Sequence, residues 1–407
     1  MKRSVYTNPI SCFMPCVLLM AAVVCGVSGC ASVRQSTTTV EKLDTAQREL
    51  EEQPRPQVDM SQVNEAAQYF EEEDNSLSAM TAEKFGTRFR LACLKMVRLD
   101  PNEEVSLAAF EKGVELFEQG DFEEAAKELW TAAFRWPDSP LQEDALFLRA
   151  EAFFFANQYG KAQRAYEKLL KKYDSTRYMD RVSPRLFAIA QYWEKLDQIN
   201  DYNELAPNFF DKTRPVFGTF GNSIKAYRTI SMRDPNGLWA EHAVMAAGNA
   251  NYIRGEYFEA ADFYDNLIRN YPQSKHLLPA CELNLASKLL MYQGPKYDSK
   301  ALEDAEELTE RLLTQFGPQL GDRREALLET QNRITEAKAE RDLEVAAFYE
   351  TKKNYGAARY YYLLCINDYP QTNSAAIAKE KYDRIRDFRA NPPDYFSWLK
   401  VVFPEKI

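Results

Sequence analysis

The sequence predicts an all-α protein, a solenoid of stacked helical hairpins. Three observations carry that expectation. First, one short pattern returns six times. Its clearest copy runs Gly255, Tyr257, Ala260, Tyr264, Leu267, Ile268, Tyr271, Pro272, Ser274. It recurs 98 residues later as Tyr355, Ala358, Tyr362, Cys365, Ile366, Tyr369, Pro370, Thr372. Second, the apolar positions fall three and four apart, which places them on one helix face. Third, a small residue lies seven positions before each opening residue: Gly113 before Gly120, Ala150 before Asn157, Gly248 before Gly255, Ala346 before Lys353. A small residue at one register lets two helix axes approach closely. Repetition at a fixed period marks supersecondary units that cannot bury their apolar faces alone.

At the front, residues 1–29 read as a secretory signal. Lys2 and Arg3 precede an apolar run from Val17 to Val27, followed by Ser28, Gly29 and Cys30. A basic start, an apolar core and small residues define such a signal, and the run is short for a membrane span. Val27-Ser28-Gly29-Cys30 resembles the bacterial lipobox, which implies cleavage before Cys30 and acylation of that residue. By the same analogy, the lack of Asp at position 31 favours delivery to the outer membrane. Acyl chains anchor because each buried CH₂ contributes about 0.8 kcal/mol. Residues 30–60 read as a flexible tether: Thr37, Thr38 and Thr39, then mixed charge, then Pro54-Arg55-Pro56. A chain of that length reaches on the order of 30 Å. Residues 61–100 form an acidic lead-in without a clear pattern.

Residues 101–178 hold two repeats. One carries Gly120, Phe122, Ala125, Leu129, Ala132, Ala133, Trp136, Pro137, Ser139, and the next, 37 residues on, carries Tyr159, Ala162, Tyr166, Leu169, Leu170, Tyr173, Thr176. The aromatic-Pro pair ends the helix, because Pro cannot continue one and the residue before it avoids αR. Residues 179–237 read as an irregular insertion with a degenerate copy: Gly218, Phe220, Tyr227, Ile230, Pro235. There Pro207 and Pro215 interrupt the place where a first helix is expected. Residues 238–390 hold the C-terminal repeats. They include a stretched copy at Ala305, Leu312, Leu313 and Phe316, and one long, charge-rich helix between Leu320 and Lys352. Residues 391–407 form an apolar tail, with Tyr395, Phe396, Trp398, Leu399, Val401, Val402 and Phe403. It is expected either to cap the stack or to dock a partner.

Composition narrows the function classes. The net charge of −10 becomes −12 when residues 1–29, with Lys2 and Arg3 and no acid, are removed. An acidic chain is a poor nucleic-acid binder, since phosphates demand clustered Lys and Arg. Of seven cysteines, Cys93, Cys281 and Cys365 remain after the signal and Cys30 are set aside, an odd number without a disulfide framework. Cys365 stands where Leu267 stands in the parallel copy, and reads as a small core residue. His242 and His276 stand alone in sequence, so no metal or cofactor is expected. No phosphate-cradling loop and no nucleophile elbow is present, and the expectation is a binding protein rather than an enzyme.

The repeat resembles the tetratricopeptide repeat in its small residue on the first helix and its Gly-x-Tyr, Ala, aromatic and Pro on the second. With the lipobox cysteine and tether in front, the chain resembles the BamD (YfiO) family of outer-membrane assembly lipoproteins. The layout is that of a long relative of planctomycete type. Ala347-Phe348-Tyr349, Lys352-Lys353, Tyr355, Ala357-Ala358-Arg359 and Tyr369-Pro370 follow the family's last repeats. The resemblance also covers Gly113 to Thr176. It is poor from Met179 to Leu238 and after Ala390. It implies a scaffold on the periplasmic face of the outer membrane. Its partners would be a barrel-assembly protein with periplasmic domains, held by the C-terminal repeats, and unfolded barrel precursors, received near the N-terminal repeats. A repeat lipoprotein serving another envelope complex, for cell-wall coordination or secretion, is the alternative. Under the first expectation, residues three before and four after each small residue line a groove: Phe110 and Phe117, Phe147 and Phe154, Met245 and Tyr252. Such a groove suits an extended, aromatic-ended segment.

Overall fold

The computed structural model describes Arg48, Leu50 and residues 53–56, 101–199, 208 and 211–391. Among the described residues there are fourteen helices and no strand. No helix among them is long and apolar enough to cross a membrane. The expectations for residues 1–29, 61–100 and 392–407 lie outside the described residues. The chain divides into two compact units, which meet in sequence between Ala250 and Asn251.

In the first unit, α1 (Glu103–Gln119) pairs with α2 (Phe122–Arg135), α3 (Pro140–Phe155) with α4 (Tyr159–Lys172), and α5 (Met179–Ile199) with α6 (Thr219–Arg233). Then comes α7 (Ala240–Arg254). The second unit holds α8 (Tyr257–Asn270), α9 (Leu277–Met291), α10 (Lys300–Gln315), the single turn α11 (Gly317–Leu320), α12 (Arg323–Thr351), α13 (Tyr355–Asp368) and α14 (Asn373–Ile385). The helices α2, α4, α8 and α13 begin at Phe122, Tyr159, Tyr257 and Tyr355, the first aromatic of each copy.

The four hairpin turns are built alike. Gly120, Asn157, Gly255 and Lys353 occupy one register, and all have positive φ, at 90°, 56°, 85° and 58°. In each, two backbone N–H groups reach back to the last turn of the preceding helix. Gly120 N donates to Phe117 O and Asp121 N to Leu116 O, as Lys353 N does to Glu350 O and Asn354 N to Tyr349 O. This closure satisfies carbonyls that a helix end leaves open. The far ends of the first and last of these hairpins are also alike. After Trp136-Pro137 the Ser139 side chain accepts from Gln142 N at 3.2 Å, and after Tyr369-Pro370 Thr372 accepts from Ala375 N at 3.1 Å. One tetrapeptide thus stops a helix and caps the next.

Gly113 lies against α2, where a Cβ would come within 2.8 Å of Leu129 Cγ. The corresponding Ala150 and Ala346 are completely buried. Nine positions after the turn residue, the copies place Tyr166, Tyr227, Tyr264 and Tyr362, all at most 1% exposed. Three of these carry their hydroxyls to a Glu of the paired helix: Tyr166 to Glu151, Tyr227 to Glu194 at 3.1 Å, and Tyr362 to Glu350 at 2.7 Å.

Two regions differ from expectation. Residues 179–237 contain a helical hairpin, α5 with α6, rather than an irregular insertion. The first helix is described as far as Ile199, and Pro215 lies between it and α6 rather than within it. That connection is pinned to α5 where Trp193 Nε1 donates to Thr213 O at 2.8 Å. The tether expected over residues 30–60 is also held at its end. Leu50 is 2% exposed, and Arg185 donates to Gln53 Oε1 and to Pro54 O. In the second unit, the long helix is present as α12, with 29 residues. Its length follows from how many helices it meets, since it packs against α10 and α14 and also forms a hairpin with α13. Lys338 reaches Glu306 of α10 at 2.7 Å, and Ala339 O accepts from the Cys365 thiol of α13 at 3.4 Å.

A candidate peptide groove and an aromatic surface

Along α5 in the first unit runs a cavity of about 810 Å³. Its wall includes Pro184, Arg185, Phe187, Tyr192 and Trp239, and part of its rim is Leu50 with residues 53–56. The chemistry centres on Arg185, whose side chain is 9% exposed. Its Nη2 donates to Glu151 Oε2 at 3.0 Å and its Nε to Glu151 Oε1 at 3.3 Å. Glu151 in turn accepts the Tyr166 hydroxyl. Burial, then the charge of Glu151, pushes the Tyr166 hydroxyl well above its ordinary value, so it stays a donor. The guanidinium also stacks over the Phe154 ring at 4.6 Å and the Phe155 ring at 5.1 Å. A buried cation is tolerated only when paired, and here a carboxylate, two rings and two carbonyl oxygens share it.

The residues expected to line an open groove are placed elsewhere. Phe110, Phe117, Phe147 and Phe154 are at most 2% exposed, and Met245 is 8% exposed. Tyr252 is half-buried, its ring 5.6 Å from Tyr257. Phe147 stacks on Tyr178 at 4.0 Å, and Phe117 meets Phe122 and Phe155 edge-on at 5.3 and 5.9 Å. The expected exposed aromatic lining is therefore corrected: these five side chains are core. The physical reason is that a first helix in a stack is flanked by its own partner and by its neighbours, so most of its circumference is covered. The signal was in the sequence. Ala145-Leu146-Phe147-Leu148 and Ala152-Phe153-Phe154-Phe155 are apolar on consecutive positions, the mark of a helix buried all round. Arg185, the centre of the cavity wall, carries no local sequence signal, because its partners Gln53 and Glu151 lie 132 and 34 positions away.

The second unit presents a different feature. Phe348 and Tyr360 are 57% and 62% exposed, and Tyr349 stacks on Tyr361 at 5.5 Å. A further cavity of about 630 Å³ lies beside them, lined by Tyr297, Arg341, Val345 and Phe348. Arg359 serves structure. Its Nη1 donates to the backbone oxygens of Ile385, Arg386 and Phe388, closing the end of α14. Cys281 and Cys365 are buried free thiols, and burial pushes both up to about 11. Neither is a nucleophile at neutral pH.

These features define a helical-hairpin repeat protein. Residues 144–176 match the tetratricopeptide repeat model, and residues 216–387 match YfiO, described as an outer membrane lipoprotein. The chain is a YfiO-like tetratricopeptide-repeat protein. Among solved structures it is similar to a tetratricopeptide repeat protein from Parabacteroides merdae, at 13% identity over 68% of this chain and 97% of that one, with a TM-score of 0.27. It is also similar to PilW, a widely conserved type IV pilus biogenesis factor, at 16% identity over 68% of this chain and 100% of that one, with a TM-score of 0.21. Scores of that size carry no argument about fold or function. No curated protein matches the chain.

Proposed function

We propose that the protein is a lipid-anchored scaffold on the periplasmic face of the outer membrane, acting in the assembly and insertion of outer-membrane β-barrel proteins. The observation that carries this reading is the match of residues 216–387 to the YfiO outer membrane lipoproteins. The lipobox-like Val27-Ser28-Gly29-Cys30 supports it from the other end of the chain. On this reading the protein binds and positions, and performs no catalytic step. The C-terminal repeats hold the periplasmic domains of a barrel-assembly protein, and unfolded barrel precursors are received nearer the N-terminus. The exposed rings of Phe348 and Tyr360 are suited to the first role, since large, stiff aromatics supply much of the affinity at protein interfaces.

Capture from detergent-solubilised outer membranes tests this. A barrel protein with periplasmic repeat domains should co-purify with the full chain, and Phe348→Ala with Tyr360→Ala should reduce its recovery without lowering the melting temperature. Recovery of wall synthases or secretion components in its place would assign the scaffold to another envelope complex.

A further inference from the structure

The groove along α5 already has a peptide at its rim, and that peptide is the chain's own. Three contacts hold it. Leu50 is buried. Arg185 donates to Gln53 Oε1 and, at 2.8 Å, to Pro54 O. The Arg55 guanidinium lies 5.1 Å over the Phe122 ring and 5.9 Å from that of Phe155, while Arg55 itself is exposed. An apolar side chain, two acceptor oxygens and a cation are groups that any peptide of the right order supplies. The receiving side is permanent: Arg185 is fixed by Glu151, and the rings belong to helices α2 and α3. Phe187, Tyr192 and Trp239 line the same cavity.

We propose that Leu50 and residues 53–56 are an intramolecular pseudo-ligand: they cover part of a peptide-binding groove, and a peptide of the same chemistry from a partner displaces them. That peptide carries an apolar residue, a side-chain acceptor three positions on and a basic residue two positions further, the spacing of Leu50, Gln53 and Arg55. Because the segment is covalently attached, its effective concentration at the groove is on the order of millimolar. A free peptide therefore competes poorly until the segment is weakened.

The test uses the full chain and a fluorescein-labelled peptide of residues 45–58, followed by anisotropy. Leu50→Ala with Arg55→Ala in the protein should raise affinity for the peptide at least tenfold over wild type. A peptide carrying the same two substitutions should lose that binding. Equal affinity of the wild-type and substituted proteins for the native peptide would overturn the proposal, as would undiminished binding of the substituted peptide. A substituted protein that melts early and binds no peptide would also overturn it, by making the segment part of the core.

Discussion

At the scale of single residues, the turns and the close contacts make opposite demands. Lys353 holds a left-handed backbone that Gly120 and Gly255 adopt without a Cβ penalty. An L-residue there costs about 1–2 kcal/mol, partly offset by the freedom glycine has when unfolded. Lys353→Gly should therefore raise stability by about 1 kcal/mol, seen as a higher melting temperature of the full chain. A lower melting temperature would mean the lysine side chain contributes more than its backbone costs. Gly113 is the reverse case. Its missing Cβ leaves room for Leu129, which is fully buried and cannot retreat into solvent. Gly113→Ala should cost about 1–3 kcal/mol by overpacking, and circular dichroism melts will register it. Both residues were legible in the sequence, because the repeat register marks them. What the register did not reveal was the conformation of Asn157 and Lys353, where a glycine would have advertised the turn.

At the scale of elements, the second helix of each hairpin was the easy part. Its aromatic start and Pro stop are local signals. First helices were harder, and α5 shows why. The repeat register places it immediately before Gly218, where Pro215 stands, whereas α5 is described over Met179–Ile199. Connection length is not encoded in the helical period. The buried rings teach a related lesson. Spacing places Phe110 and Phe154 on a face, but does not say what covers that face. Since both are at most 1% exposed, Phe110→Ala and Phe154→Ala should each cost about 3–5 kcal/mol. Chemical denaturation measures this, and a loss below about 1 kcal/mol would return them to the surface. Within the α5–α6 hairpin, Glu194 accepts from Tyr227 while burial pushes its carboxyl up to about 7. An acid raised in the folded state favours the protonated form. Stability is thus fullest below the unfolded value near 4.5 and declines as pH climbs toward 7, then levels. Melts between pH 5 and 8 should show that decline in the wild type, and Glu194→Gln should flatten it. An unchanged profile would place the titrating group elsewhere.

At the scale of the whole molecule, the prediction concerns attachment. If Cys30 is acylated, Cys30→Ala should yield an unprocessed precursor or a soluble product, and membrane fractionation with mass spectrometry of the mature N-terminus decides it. An unmodified N-terminus at another residue would remove the anchor. The fold class was legible because repetition multiplies a weak local signal into a strong one. The groove was not, because it is made by residues that the chain brings together only after three hairpins have stacked.

The tetrapeptide that joins hairpins has one more consequence. Between Trp136 and Ser139 the chain stops one helix and caps the next with nothing to spare, and Asp138 there is itself left-handed, with φ of 63°. One added residue would turn α3 by about 100° about its axis, swinging Phe147 and Phe154 outward and the solvent-facing side inward. Insertions and deletions should therefore be purged from these joints as the gene diverges. They should accumulate in the connection between Ile199 and Gly218, where a change of length alters no helix phase.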